Sequence, residues 1–194
     1  MRGPEDAEEA ARLGFPLVVK VDSPDIIHKT EVGGVKVGVG SVEELRRAAE
    51  EILESVRRAA PGARVYGLVA QEMVKGGHEV FIGGLNDRQF GPVVVFGLGG
   101  VFVEVLRDVA FDLAPVTPGE AEELVRGIRG YKVLSGYRGE PADIKLLAEA
   151  ISRFSRLIWD LAPVFEEADL NPVFAGRDWV KVVDARFRLR PGKG

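Results

Sequence analysis

"VFEEADLNPVFAGRDWVKVVDARFRL" (residues 164–189) contains two runs rich in valine and phenylalanine, separated by a turn at Gly176. β-branched and aromatic residues on both sides of a glycine turn are typical of a β-hairpin. Pro172 has no N–H to donate to a neighbouring strand, which indicates that the first strand lies at an edge or is irregular. The sequence therefore predicts that this part of the chain folds as a hairpin.

Three oxygen-bearing side chains are expected on one face of this hairpin. With the turn centred on residues 176–177, Asp169 lies opposite Asp184 and Asn171 lies opposite Val182. Because side chains alternate along a strand, Asp169, Asn171 and Asp184 then share a face. Facing carboxylates repel each other, and Mg²⁺, which prefers oxygen ligands, would offset that repulsion. The alternative is a solvated polar face, since a register slip of one residue would scatter the three side chains.

Composition limits the class of protein. The chain has 194 residues, of which 46% are hydrophobic and 29% are charged, and its net charge is −4. These values fit a soluble globular protein with one domain or two small lobes. The negative charge disfavours nucleic-acid binding, which needs a basic surface. The absence of cysteine excludes disulfides, thiolate catalysis and cysteine-ligated metals.

The sequence also carries expectations about location. Its apolar runs are all shorter than the roughly 20 residues that a membrane span needs. The N-terminal "MRGPEDAEEAARLG" is acidic and lacks the apolar core of a signal peptide. A cytoplasmic protein without membrane contact is therefore expected. The lack of cysteine, the few methionines and the many arginines and glutamates are typical of thermophiles.

The remaining elements alternate irregularly. Strands are predicted in "FPLVVKV", "GGVKVGVG", "RVYGLVAQEMV", "HEVFIGGLND", "GPVVVFGLGG" and "FVEVLRDVAFDLAP". Helices are predicted after Ser41, which forms a capping box with Glu44, after Thr117, which does so with Glu120, and over residues 143–161. The first of these helices carries one apolar stripe, Leu45, Ala49, Ile52 and Val56. Strands clustered in the middle of the chain and two late helices indicate an α+β fold rather than a regular βαβ alternation.

Several polar residues stand out from their apolar surroundings. Lys20 ends a predicted buried strand, where its ammonium group can meet a phosphate or simply extend to water. Glu79 and Glu104 lie within apolar runs, so each faces water, pairs with a cation or contacts a ligand. "GLGG" (residues 97–100) lacks the spacing of known nucleotide loops and is more typical of a tight turn. His28 lies in the turn-rich "PDIIHKTEVGG", where the sequence alone favours a loop histidine with local hydrogen bonds.

Four long segments together resemble a known family. They are "FPLVVKVDSPDIIHKTEVGGVKVG", "VAQEMVKGGHEVFIGGLNDRQFGPVVVFGLGGVFVEVLRDVAFDLAP", "GYKVLSGYRGEP" and "ADLNPV…VVDAR". They are similar to the β subunit of ADP-forming acetyl-CoA synthetase, in the superfamily of NDP-forming acyl-CoA synthetases that includes succinyl-CoA synthetase. The similarity follows the order of that family over residues 15–189.

The resemblance implies an ATP-grasp fold, in which two α+β lobes hold ATP or ADP. Residues 1–70 would form the N-terminal lobe with the His28 loop, and residues 71–194 the C-terminal lobe with the metal-binding hairpin. Lys20 would contact nucleotide phosphates, and Glu79 would lie near the ribose. The hinge that meets adenine would consist of Gln71, Glu72, Met73 and Val74. Asn171 and Asp184 match the family's Mg²⁺ ligands, with Asp169 close by.

The implied reaction is acyl-CoA + ADP + phosphate ⇌ carboxylic acid + CoA + ATP. His28 matches a histidine that relays the phosphoryl group between a phosphohistidine of a CoA-binding α subunit and ADP. Lys29 would neutralise charge on the transferred group, and Asp169 or Glu104 would orient the imidazole or stabilise its cation. The acyl-CoA, CoA and carboxylic acid would bind through the α subunit, so activity is expected only in the heteromer.

The sequence departs from the family at its beginning, where a few tens of residues with a first helix and strand are expected but not found. The N-terminal lobe is therefore expected to be shortened and incomplete. One alternative is a truncated nucleotide-binding or assembly module without catalysis. Another is an ATP-grasp ligase that joins a carboxylate to an amine, although that would leave His28 without a purpose.

Overall fold

The chain divides into two units, called unit 1 (Met1–Met73) and unit 2 (Val74–Gly194). The computed structural model describes residues 1–100, 108–137 and 139–190. The boundary follows Met73 because β3 (Gly67–Glu72) pairs with a strand of unit 1. The division expected from the sequence, between residues 70 and 71, lies inside that strand.

Unit 1 is a three-stranded antiparallel sheet with one long helix. Its further elements are α1 (Ala7–Ala10), β1 (Leu17–Asp22), β2 (Val35–Val39) and α2 (Val42–Ala59). The strand order is β2-β1-β3, and β1 pairs with both neighbours. The strand predicted in "GGVKVGVG" is confirmed as β2, which lies at an edge of this sheet.

The helix α2 forms because its sequence caps one end and buries one stripe. The Ser41 hydroxyl accepts a hydrogen bond from the Glu44 amide at 3.1 Å. The second half of the predicted capping box is wrong, since the Glu44 carboxylate accepts from the Gly40 amide at 2.8 Å instead. The predicted apolar stripe is confirmed: it is buried against alternate residues of β1 and consists of Leu45, Ala49, Ile52 and Val56.

Unit 2 is a larger antiparallel sheet with helices on one face. Its strands are β4 (His78–Asp87), β5 (Gly91–Leu98), β6 (Val109–Leu113), β7 (Phe165–Ala175), β8 (Val180–Val182) and β9 (Ala185–Leu189). Its helices are α3 (Pro118–Gly127), α4 (Tyr131–Leu134) and α5 (Ile144–Asp160). The strand order is β6-β5-β4-β7-β8, and β9 also pairs with β7.

The core of unit 2 lies between its sheet and the helices α3 and α5. Fully buried side chains from both layers, such as Phe96, Phe165 and Ile151, fill it. The predicted capping box is confirmed at α3, where Thr117 and Glu120 exchange hydrogen bonds. The other face of this sheet has no helix from unit 2 among the described residues.

This architecture confirms the predicted α+β class, with antiparallel sheets and helices in each unit. Among the helices of the described ranges, none combines the length and apolar character that crossing a membrane requires.

Candidate functional site

The terminal hairpin has a different register from the predicted one. β7 pairs with β8 at Val173↔Val182 and with β9 at Asp169↔Arg186. Between these pairs, the Asn171 amide donates to the Asp184 carbonyl at 3.2 Å. Asp184 therefore lies opposite Asn171, and the prediction that it faces Asp169 is wrong.

The turn explains this register. Its ends are joined by the Gly176 amide, which donates to the Trp179 carbonyl at 2.8 Å, so the turn centres on residues 177–178. The Trp179 indole lies against Gly176 and Gly77, where a side chain at either glycine would collide with the ring. The bulky indole and the two glycines thus move the centre of the turn by one residue, which shifts the pairing by two.

A shift of two residues preserves the face on which a side chain lies. Asp169, Asn171 and Asp184 therefore still share one face, as predicted. That face is turned away from the helices, because the two neighbours of Asp169 on β7 face the core: Ala168 is buried in it and Leu170 packs against it. A bulge lies at Asn171 and Pro172, where these two residues of β7 lie opposite a single residue of β4. The helix-free face of this sheet is called the open face of unit 2.

The electrostatics of the hairpin favour a cation. Burial raises the pKa of the partly buried Asp169 carboxyl, and the negative charges of Glu167 and Asp184 raise it further. Arg186, directly opposite, acts in the reverse direction. Arg186 was missed in the sequence, and only the correct register would have indicated it.

The donor set fits a hard divalent cation. Two carboxylates and one amide oxygen on one face of the hairpin are the ligand types that Mg²⁺ takes together with substrate phosphates. The described part of the chain contains no group of three or more His, Asp or Glu side chains placed to hold a metal. The predicted trio has only two carboxylates, so phosphate oxygens would have to complete the coordination shell.

Glu79 lies on the same open face, on β4. It is exposed, and it pairs with Phe174 of β7. A side chain at Gly99 would approach the Glu79 Cγ atom to 2.6 Å, and one at Gly97 would approach the Phe81 ring to 2.5 Å. The glycines of "GLGG" thus leave room for Glu79 and Phe81 on the open face. The predicted Glu104 falls within residues 101–107, outside the described residues.

In unit 1, Lys20 lies on the sheet face opposite α2. It is partly buried between Val35 of β2 and Val69 of β3. Gln71 shares this face, because it pairs with Val18 in the same register. This helix-free face is called the open face of unit 1.

The predicted hinge residues continue from β3. Glu72 is exposed at the end of the strand, and the Met73 amide donates to the Pro16 carbonyl at 3.1 Å. Val74 is the first residue of unit 2. The hinge prediction therefore falls where the chain passes from one unit to the other.

His28 and Lys29 lie in the segment between β1 and β2 rather than on a sheet. The His28 side chain is exposed, and its carbonyl accepts from the Glu31 amide at 3.2 Å. The Lys29 carbonyl accepts from the Gly34 amide at 2.7 Å. Both residues thus begin a hydrogen-bonded turn that returns the chain to β2.

A cleft of about 460 Å³ in unit 2 contains none of the predicted site residues. Lys75, His78, Glu140 and Arg177 contribute to its wall. His78 Nε2 lies 2.7 Å from the Glu140 carbonyl oxygen. Since His78 and Glu79 are adjacent on β4, their side chains point to opposite faces of the sheet, and the cleft is separate from the open face.

Comparison with known proteins gives consistent matches. The model of the ATP-grasp domain family matches residues 1–189. The acetate–CoA ligase [ADP-forming] I subunit beta of Pyrococcus furiosus is 43% identical over 97% of this chain and 82% of its own length. The acetate–CoA ligase [ADP-forming] I of Archaeoglobus fulgidus is 47% identical over 97% of this chain, which spans only 27% of that longer protein.

A solved structure is similarly close. The dinucleotide-forming acetyl-coenzyme A synthetase 1 of Candidatus Korarchaeum cryptofilum, in complex with coenzyme A and Ca-AMPCP, superposes with a TM-score of 0.94 at 46% identity. The match covers 98% of this chain and 83% of that one. The same synthetase has been solved with Mg-AMPPCP and its phosphohistidine segment pointing towards the nucleotide binding site.

The family match over residues 1–189 shows that the chain is an ATP-grasp domain. At this identity over most of a β subunit, the chain belongs to the family of ADP-forming acetate–CoA ligase β subunits and their equivalent domains. The resemblance found in the sequence is confirmed.

Proposed function

We propose that this chain is the nucleotide-binding β subunit of an ADP-forming acyl-CoA synthetase that acts on acetyl-CoA. The overall reaction is acyl-CoA + ADP + phosphate ⇌ carboxylic acid + CoA + ATP. The observation that carries this proposal is the similarity to the Pyrococcus β subunit over 82% of that subunit's length.

Each unit carries candidate nucleotide-binding residues. In unit 1, the ammonium group of Lys20 is suited to a phosphate group, since lysine acts as a compact point charge. Gln71, on the same open face, and the following residues up to Val74 would contact adenine. In unit 2, the exposed Glu79 would accept hydrogen bonds from the ribose hydroxyls.

Asn171 and Asp184, with Asp169 beside them, would hold Mg²⁺. When bound, the ion supplies positive charge to the nucleotide phosphates. The raised pKa of Asp169 is consistent with this assignment, because burial first, and then the negative charges of Glu167 and Asp184, disfavour the bare carboxylate.

His28 would carry the phosphoryl group. A neutral imidazole is nucleophilic near pH 7, and the phosphorylated form passes its phosphoryl group on readily. In the proposed step, the N–P bond of a phosphohistidine on the partner breaks as an N–P bond forms on His28. The group then passes to a terminal phosphate oxygen of ADP, and free imidazole is regenerated. Lys29 would offset charge during transfer. An orienting role for Asp169 or Glu104 stays a prediction.

The partner would be a CoA-binding α subunit that supplies the first phosphohistidine and the acyl and CoA sites. One relative is named as a β subunit, and another is a much longer single chain. Both arrangements supply further chain beyond this domain. We therefore expect no overall reaction from this chain alone.

The test is reconstitution with an α subunit of the same family, with ATP, CoA and acetate, and measurement of acetyl-CoA. His28→Ala is expected to lower the turnover number to below roughly one thousandth of the parent value. The matched control is His78→Gln, because His28 and His78 are the only histidines of the chain. The control should keep parental turnover, and acid-labile phosphate should map to His28 alone.

Parental turnover by the His28→Ala variant would contradict the relay. Absence of activity in the parent, with intact binding of Mg-ATP, would favour the alternative of a nucleotide-binding module without catalysis.

A further inference from the structure

The segment that carries His28, residues 23–34, is fastened on both sides of the histidine. On the C-terminal side, backbone hydrogen bonds close the turn, and the Val21 amide donates to the Gly34 carbonyl at 2.8 Å. On the N-terminal side the fastening is a side-chain contact. Asp25, three residues before His28, binds Arg64.

The contact between Asp25 and Arg64 uses the whole carboxylate. Arg64 Nη2 donates to Oδ1 at 2.8 Å, and Nε donates to Oδ2 at 3.0 Å. The backbone amide of Arg64 also donates to Oδ2 at 2.8 Å. Parallel bonds between a guanidinium and a carboxylate fix orientation as well as distance. These bonds lower the pKa of Asp25 to about 2, so the carboxylate stays charged at neutral pH.

The backbone is held in place as far as Ile26, two residues before the histidine. Ile26 is only 7% exposed and packs into the core of unit 1, whereas Ile27 is 55% exposed and His28 is exposed. The imidazole is therefore carried by a short exposed stretch between two fixed points. Its position depends on where Asp25 and Ile26 hold the backbone.

Arg64 connects this segment to a distant part of unit 1. It follows α2 and precedes β3, the strand that carries Gln71 and Glu72. The pairing of β1 with β3 does not depend on the ion pair. The two strands pair along their length, and the Tyr66 amide donates to the Asp22 carbonyl at 2.8 Å. The feature that the pair adds is the placement of the His28 segment relative to β3.

We propose that Asp25 and Arg64 are positioning residues that hold the His28 imidazole in place for phosphoryl transfer. This inference rests on the proposed function of His28. The pair acts through the backbone of the segment and touches no reacting atom. The ion pair would thus fix the backbone from which the His28 side chain extends.

The expected effect follows from the geometry of transfer. Phosphoryl transfer needs the attacking and leaving atoms roughly in line, and a misplacement of about 1 Å can cost on the order of 100-fold in rate. Loss of the pair should therefore lower the turnover number and leave nucleotide binding unchanged.

The experiment compares Arg64→Gln and the isosteric Asp25→Asn with a matched control in the reconstituted holoenzyme. The control is Arg46→Gln, which removes another exposed ion pair of unit 1, with Glu8 at 2.7 Å. We expect both test variants to lose roughly 10- to 100-fold in kcat, with KM for ADP within about 2-fold of the parent. The control should keep parental kcat. Arg64→Lys, which keeps the charge but not the fork, should recover part of the rate.

Thermal unfolding separates positioning from folding. An exposed ion pair contributes little to stability, so the test variants and the control should share one melting temperature within a few degrees. A kcat of Asp25→Asn and Arg64→Gln equal to that of the control would overturn the positioning role. So would a loss of kcat that is accompanied by a comparable rise in KM for ADP, or by a fall in melting temperature of more than a few degrees.

The two proposals fail in different ways. If His28→Ala abolishes turnover but Arg64→Gln does not, the relay stands and the positioning role is wrong. If His28→Ala retains turnover, both the relay and the positioning role are wrong.

Discussion

The open faces of the two units are built alike but carry opposite chemistry. Each belongs to an antiparallel sheet whose other face is covered by helices. In unit 1 the face is mainly apolar and carries a lysine, with Val37 66% and Val69 44% exposed around Lys20. In unit 2 the part of the face on β7 carries Asp169 and Asn171.

Because of this difference, the two open faces are suited to ligands of opposite charge. A lysine is suited to an anion, because its ammonium group is a compact positive charge. Neighbouring carboxylates are suited to a cation, because they repel each other without one. A nucleotide carries negative charge and its divalent cation carries positive charge. The residues of each face can therefore be replaced separately, and binding can be measured with and without Mg²⁺.

The largest effect is expected at the acidic face. The double variant Asn171→Ala, Asp184→Ala should weaken Mg-ATP binding on the order of 100-fold, because it removes two proposed ligands. Binding of ATP in the presence of EDTA should not change. Calorimetric titration with and without Mg²⁺ measures both. Asp178→Ala, in the exposed turn of the same hairpin, is the control. Equal weakening with and without Mg²⁺ would contradict the metal assignment.

A smaller effect is expected at the basic face. Lys20→Met should weaken ATP binding roughly 10-fold, the value of one charge-assisted hydrogen bond. The loss should be similar with Mg²⁺ and with EDTA, since the lysine would bind phosphate directly. The same titrations measure it. Lys36→Met, which removes the ion pair with Glu51 on the helix-covered side of β2, is the control and should bind normally. If the Lys20→Met variant binds ATP with unchanged affinity, the proposed contact between Lys20 and the nucleotide phosphates is wrong.

The smallest effect is expected in the stability of the metal-free protein. Asp169→Asn should raise the free energy of unfolding by about 0.2–1 kcal/mol without Mg²⁺, because it removes a partly buried charge beside like charges. Chemical denaturation in EDTA measures this, with the exposed Asp178→Asn as control. A loss of stability would mean that attraction to Arg186 outweighs burial and repulsion at this site.

Local patterns in the sequence predicted much of the fold correctly. The apolar stripe of α2 and the capping box of Thr117 with Glu120 need only residues within one or two turns, so they could be read directly. The long family segments indicated the ATP-grasp domain, which the matches confirm. The roles of Lys20 and His28 came from the same resemblance and stay proposals.

The candidate site was only partly predictable. Asp169, Asn171 and Asp184 were placed on one face correctly, because alternation along a strand survives an even shift in register. Their facing partners were wrong, because the turn position depends on how the Trp179 ring packs over Gly77, which lies far away in the sequence. Arg186 was missed for the same reason.

The sequence by itself determined the two long helices, most of the strands and the α+β class, since these follow from local periodicity and caps, but it did not predict the short helices α1 and α4. Only the tertiary structure decided which residues meet across the chain. Asp184 lies opposite Asn171, and Asp25 binds Arg64 from 39 residues away. Such pairs depend on the packing of distant elements, and no short-range pattern in the chain encodes that packing.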